Sequence, residues 1–153
     1  MTIPMNQGQV QNILKYIDAT QSEAVKSSIF DRLGRECFTA HRLDESLAPY
    51  RGNVQAFLDW VNVQQGSKYW EKLEFSAHGR TLFLTGRIVA QCACAFAACP
   101  QPPLALCHSC CKAFQQEFFR TLLGQEVEVE ITTAFLLGDD RCSTAIHLVN
   151  PRS

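Results

Sequence analysis

The chain has 153 residues, with 14 Lys and Arg against 15 Asp and Glu for a formal charge of −1, and 46% hydrophobic against 19% charged residues. That length suits one domain, 1–153, and that composition fills a core rather than a disordered segment. A balance this near neutral argues against nucleic acid, which is held by clustered Lys and Arg, and no apolar run nears the ~20 residues of a membrane helix. The start, MTIPMNQGQVQN, has neither the basic region nor the apolar stretch of a secretion signal. The expected location is the cytoplasm, with no membrane partner.

A helical part is expected over 6–66. Val10, Ile13, Leu14 and Ile17 recur at i, i+3, i+4, i+7, one apolar stripe on a short helix. Thr20-Gln-Ser-Glu23 has the form of a capping box opening a second helix. That helix aligns Val25, Ile29, Leu33 and Cys37 on one face. Gly34 inside it costs ~1 kcal/mol relative to alanine, so the helix ends nearby or something packs closely there. Beyond a loop at Pro49-Tyr-Arg-Gly52, Asn53 caps a third helix with the stripe Val54, Phe57, Leu58 and Val61, and Gly66 suits its end.

A sheet-plus-helix part is expected over 69–149. Tyr69 to Ser76 and Thr81 to Val89 read as a hairpin with His78-Gly79 at its turn. Pro100, Pro102 and Pro103 make Cys99 to Leu106 a loop. Cys110 to Leu123 carries Phe114, Phe118 and Leu122 on a helix closed by Gly124. Val127, Val129 and Ile131 alternate with Glu126, Glu128 and Glu130 as a half-buried strand. Gly138-Asp-Asp140 turns into a last strand, Cys142 to Val149.

The chemistry concentrates in the eight cysteines, six of which fall between 92 and 111. Disulfide frameworks belong to small secreted chains that lack a core. In a reduced compartment such a cluster is a metal site, a reactive thiol site or plain packing. Cys107-x-x-Cys110 spans one turn and can deliver two thiolates to one ion, a donor set that favours Zn²⁺ or an iron–sulfur centre. Cys92 and Cys94, two apart in an extended chain, point to the same side. The opposing reading is that the alanine-rich ACAFAAC uses cysteine as a small apolar residue. Cys37 ends the apolar stripe of the second helix, and Cys142 follows the Gly-Asp-Asp turn, so both can face inward. His41, four residues after Cys37, reads as a frayed helix end, and His78 and His147 as surface residues. His108 adjoins Cys107, but adjacent side chains seldom face each other. The three strand glutamates and the turn aspartates read as solvated. There is no G-x-S-x-G, Walker loop or G-x-G-x-x-G to support an enzyme.

The segments Cys107-His-Ser-Cys-Cys-Lys-Ala-Phe114, Leu122-Leu-Gly-Gln-Glu-Val-Glu-Val-Glu130 and Gly138-Asp-Asp-Arg-Cys142 resemble the vinyl-reductase-type (4VR) domain over roughly 107–149. Its relatives include sensory domains of bacterial phenol-responsive activators, a chlorophyll-biosynthesis accessory protein and vesicle-tethering transport-particle subunits. Gly34-Arg-Glu-Cys37 is similar to an early motif of a bacterial Cys-rich subfamily. The resemblance implies a 4VR-like α+β fold. N-terminal helices pack on an antiparallel sheet, with a Cys-rich loop, a crossover helix and an internal apolar pocket. In aromatic-sensing members, cysteines hold a zinc near that pocket. Matching positions would make Cys142 and one of Cys107 or Cys110 ligands. The middle cysteine of the pattern is replaced by Ala134, so the remaining ligands would come from Cys37, Cys92 or Cys94. The implied function is a cytosolic small-molecule-binding or sensory domain, with zinc beside a pocket for a small apolar or aromatic ligand, and a homodimer as partner. Alternatives are a metal-assisted hydrolase, a thiol redox enzyme, and an interaction protein whose cysteines only pack.

Overall fold

The computed structural model describes residues 4–149; the outer ends of the 1–153 range lie outside them. The architecture is α+β, with helices packed on a four-stranded antiparallel sheet, as the sequence implies. Among the described residues no helix is long and apolar enough to cross a membrane.

Helix α1, Gln7–Thr20, opens on a reciprocal capping box. Asn6 accepts from the Gln9 amide at 2.9 Å while the Gln9 side chain accepts from the Asn6 amide at 2.8 Å. Only Leu14 of the expected stripe is fully buried, and Ile13 is exposed. Helix α2, Glu23–Ala40, is capped by Ser22 rather than Thr20, whose hydroxyl instead donates back to the Tyr16 carbonyl at 2.7 Å. The box at Thr20–Glu23 therefore does not form: Thr20 is the last residue of α1. The buried face of α2 is also rotated from expectation, running through Phe30, Gly34 and Phe38 while Val25 is exposed. The cause is Gly34, whose bare backbone abuts the chain at Cys110 and draws its i−4 and i+4 neighbours inward.

Arg42, in left-handed conformation, starts a short helix α3, Leu43–Leu47, which continues as a 3₁₀ turn, Ala48–Tyr50, where a loop was expected. Helix α4, Val54–Asn62, is capped by Asn53 as expected and buries Phe57, Leu58 and Val61.

Strands β1, Trp70–Phe75, and β2, Thr81–Gly86, form the expected hairpin, with Gly79 at positive φ in its turn. β2 stops at Gly86, three residues short of Val89. There a side chain would strike the Cys142 carbonyl, and the chain peels away. A π-helical segment, Leu106–Cys111, leads into helix α5, Lys112–Leu123, closed by Gly124 in the left-handed region. Strand β3, Val127–Thr133, has its glutamates wet, and β4, Ser143–Leu148, completes the sheet in the order β1-β2-β4-β3.

Two cores result. The larger lies between the sheet, α4 and α5, where Phe57, Trp70, Phe118 and Phe119 meet at ring separations of 5.1–6.2 Å. The smaller gathers Leu14, Phe30, Ala97, Leu106 and Cys110, with Cys92, Cys94, Phe96 and Leu136 packed around them. At the outer border of the sheet, the Asn62 side chain donates to the Leu73 carbonyl at 2.6 Å and accepts from the Leu73 amide at 2.8 Å.

Candidate metal centre

The smaller core is where distant stretches bring their sulfur together. α2 approaches the π-helical segment closely because Gly34 has no side chain. A Cβ there would lie 2.1 Å from the Cys110 carbonyl oxygen. Cys37, three residues further along α2, is thereby set beside Cys110, and the Cys110 thiol donates to the Cys37 sulfur. A second close approach fixes the other side. Gly86 faces the Cys142 carbonyl, 2.0 Å from where its Cβ would stand, so the end of β2 and the lead into β4 are pressed together under the cysteine loop.

Within this frame several thiols lie near enough for charge on one to oppose ionisation of the next. Cys94 neighbours Cys37 and Cys92. Cys107 neighbours Cys92, Cys94 and Cys142. Cys111 neighbours Cys107, Cys94, Cys142 and Cys110. Of the expected site residues, Cys37, Cys92, Cys94, Cys107, Cys110 and Cys142, only Cys92, Cys94 and Cys110 pack together in the smaller core; the others, and Cys111, are linked to them through the effect of charge on their thiols. Cys99 stands apart, donating its own thiol hydrogen to the Phe96 carbonyl at 3.6 Å.

The polar surroundings of the sulfurs are donors. Nearby backbone N–H groups favour the charged form of three sulfurs, those of Phe96 and Ala97 beside Cys94, of Cys94 beside Cys92 and of Leu136 beside Cys107. Cys142 accepts from the Phe135 amide at 3.3 Å. Cys111 accepts from Gln115 Nε2 at 3.4 Å, and the same buried glutamine accepts from the Thr144 hydroxyl at 2.7 Å. A neutral thiol is a poor acceptor, whereas a thiolate is a strong one. These donors therefore favour the charged form of the sulfurs they approach.

Without a cation, burial opposes that form. It pushes Cys92 and Cys94 up, and Cys107 and Cys111 each to about 12, with repulsion from neighbouring thiolates adding to the effect. Cys37 moves the other way, to about 7, because the Cys110 thiol hydrogen-bonds its charged form; Cys110, having committed that proton, is raised. A divalent cation among these sulfurs would supply the missing counter-charge and release the protons. Among the described residues no three His, Cys, Asp or Glu side chains already stand around a common point as a preformed ligand set. Each cysteine has a single side-chain torsion, and one staggered step moves its sulfur by roughly 3 Å. The residue types are ones that zinc prefers, but among the described residues they are not assembled as a ligand shell.

The histidines stay outside. His41 is exposed at the C-terminal end of α2, where its amide donates to the Cys37 carbonyl at 3.1 Å, and its pairing with Cys37 is only one of backbone. His78 is exposed in the hairpin turn, and His147 bonds Thr81 at 3.1 Å and Glu130 at 2.9 Å. Asp139 serves its turn by accepting from the Ala134 amide at 2.9 Å.

Two adjoining concave surfaces flank the π-helical segment and share Ser27, His108 and Ser109. One adds Asp31, Lys112 and Gln116, the other Asp18, Glu23 and Lys26 together with Leu104 and Ala105, so charged and polar side chains line the first and a mixed set the second. Cys111 belongs to the cysteine cluster the sequence marks but not to the expected ligands, and Gln115 is not marked at all. Their signal was the i, i+4 spacing that lets the amide of one reach the sulfur of the other. Comparison with protein-family models and with curated proteins finds no match to this chain.

Proposed function

We propose that this chain is a metal-binding domain, in which thiolates from α2, the cysteine loop, the π-helical segment and the lead into β4 hold zinc in the reducing cytoplasm. One observation carries the proposal. Cysteines from separated stretches gather at and around the smaller core, and the Cys111 and Cys142 sulfurs receive N–H donors that a packed, neutral thiol does not need. Structural zinc draws its ligands from such a set, and its binding energy is folding energy. The role is a small-molecule-binding or sensory one. Its support is the resemblance over 107–149 and the apolar side chains of Phe96, Leu106 and Leu136 beside the sulfurs.

Metal analysis of the chain purified without added zinc tests the reading: at least one equivalent is expected, and less than a tenth of an equivalent of any metal overturns it. Replacing Cys107 and Cys110 together with serine should lower the melting temperature sharply if the sulfurs hold a metal, and barely at all if they only pack.

A second reading, thiol redox chemistry, is favoured by the Cys37–Cys110 contact, in which one sulfur is poised as thiolate near neutral pH beside a second thiol. It requires that the metal-free chain reduce a small disulfide with loss of these two thiols. Unchanged thiol content after incubation with excess small disulfide excludes it.

A further inference from the structure

We infer that the groove between α2 and the π-helical segment binds a small monocarboxylate with a short apolar tail, its charged end held by Ser27, His108, Ser109 and Lys112. Among the described residues no cysteine lines this groove, and nothing in it depends on a bound metal. Its walls follow from the close approach at Gly34. Ser27 and Asp31 precede that glycine by seven and three residues, so all three share the side of α2 that meets the π-helical segment. There the Ser27 and Ser109 hydroxyl oxygens stand 3.3 Å apart. The two hollows, of about 410 and 510 Å³, share Ser27, His108 and Ser109 and so make one continuous groove, of a size that takes small molecules.

The charges in the groove decide what it takes. Its carboxylates already have partners. Asp31 accepts from Arg35 Nε at 2.8 Å, while Glu23 and Asp18 hold the Lys26 ammonium at 2.7 and 3.6 Å. Lys112 forms no ion pair among the described residues. Beside its ammonium stand the His108 imidazole, the Gln116 side chain and the serine pair, in which one hydroxyl donates to the other and the second proton stays free. One uncompensated cation among neutral donors matches a single negative charge. A phosphate dianion would bring a second charge up against Asp31 and Glu23 with no cation to meet it. The other end of the groove is apolar, with Ala105 and a Leu104 that is 46% exposed, and a tail of a few carbons would cover that leucine.

The test titrates the full chain with hexanoate and follows the backbone amides by nuclear magnetic resonance. Expected are saturable shifts at Ser27, Ser109 and Lys112, half-complete at about 1 mM or below. Lys112→Gln should weaken binding roughly tenfold by removing a charge-assisted hydrogen bond. Lys68→Gln, at a lysine that stands over Tyr69 outside the groove, should leave binding unchanged. The metal content of Lys112→Gln should equal that of the unaltered chain, so loss of hexanoate binding and loss of metal are read separately. The absence of saturable shifts up to about 20 mM overturns the inference and leaves the metal reading standing. Neutral hexanamide binding as tightly as hexanoate overturns it too, because the charge then plays no part. Hexyl phosphate binding more tightly overturns it in favour of a dianion site, and hexanoate binding that Lys112→Gln does not weaken overturns the placement.

Discussion

Replacing Gly34 with alanine adds one methyl group at the point where α2 touches the π-helical segment. In an open helix the change is favourable, by ~1 kcal/mol, because alanine restricts the unfolded chain and suits the helix. Here the new carbon would stand 2.1 Å from the Cys110 carbonyl oxygen and 3.0 Å from the Phe114 amide nitrogen, both backbone atoms that cannot swing aside. The helices must separate by about an ångström, which places the change at the upper end of the ~1–3 kcal/mol typical of overpacking. Net destabilisation is about 2 kcal/mol, or ~4–8 °C in melting temperature for a chain of this size. Gly8 supplies the internal control, since it lies in α1 with only the Asn6 side chain at 3.4 Å, an ordinary contact. Thermal unfolding followed by circular dichroism should thus move in opposite directions for Gly34→Ala and Gly8→Ala. If both raise the melting temperature, the close approach that seats Cys37 beside Cys110 is not there, and the convergence of the sulfurs loses its frame.

In the metal-free, reduced chain, Cys37 should be alkylated with a midpoint near pH 7, its thiolate forming as pH rises through that value, while Cys107 and Cys111 stay unreactive until about pH 12; peptide mass spectrometry after iodoacetamide pulses reads this. Cys110→Ala removes the donor to Cys37 and should shift its midpoint upward, towards the ordinary 9.0. Gln115→Leu leaves the Thr144 hydroxyl buried without its acceptor and should cost ~1–3 kcal/mol in urea unfolding, a loss that adding Thr144→Val largely recovers. Asn62→Leu strips both partners from the Leu73 backbone and should cost a similar ~1–3 kcal/mol, with amide exchange at Leu73 accelerated.

Where local chemistry decided the structure, the sequence was readable. Asn53 caps α4 because its side chain reaches the Ala56 amide, and the alternation from Val127 to Glu130 places glutamate in water whichever strands lie beside it. Gly34 announced a close contact from its residue type alone. What it touched could not be read, and with that went the buried face of α2: Phe30 and Phe38 turn inward because of Cys110, nearly eighty positions away. The end of β2 at Gly86 has the same origin in a remote carbonyl, that of Cys142. The π-helical turn was invisible for another reason, since Cys107-His-Ser-Cys-Cys111 carries no glycine or proline to mark it. The density of thiols between 92 and 111 was legible, because it does not depend on how the elements pack; which of those sulfurs pack together was not, because the side to which a residue points in a widened helical turn, as at Cys111, is set by the turn itself.

The Asn62 clamp has a consequence for self-association. A border strand offers free amides and carbonyls to any passing chain, and β1 is such a strand. At Leu73 the helix side chain already fills both positions, so an incoming strand would have to evict it before pairing there. Growth of the sheet from one molecule into the next is obstructed along that border, which leaves β3 as the other border strand of the sheet.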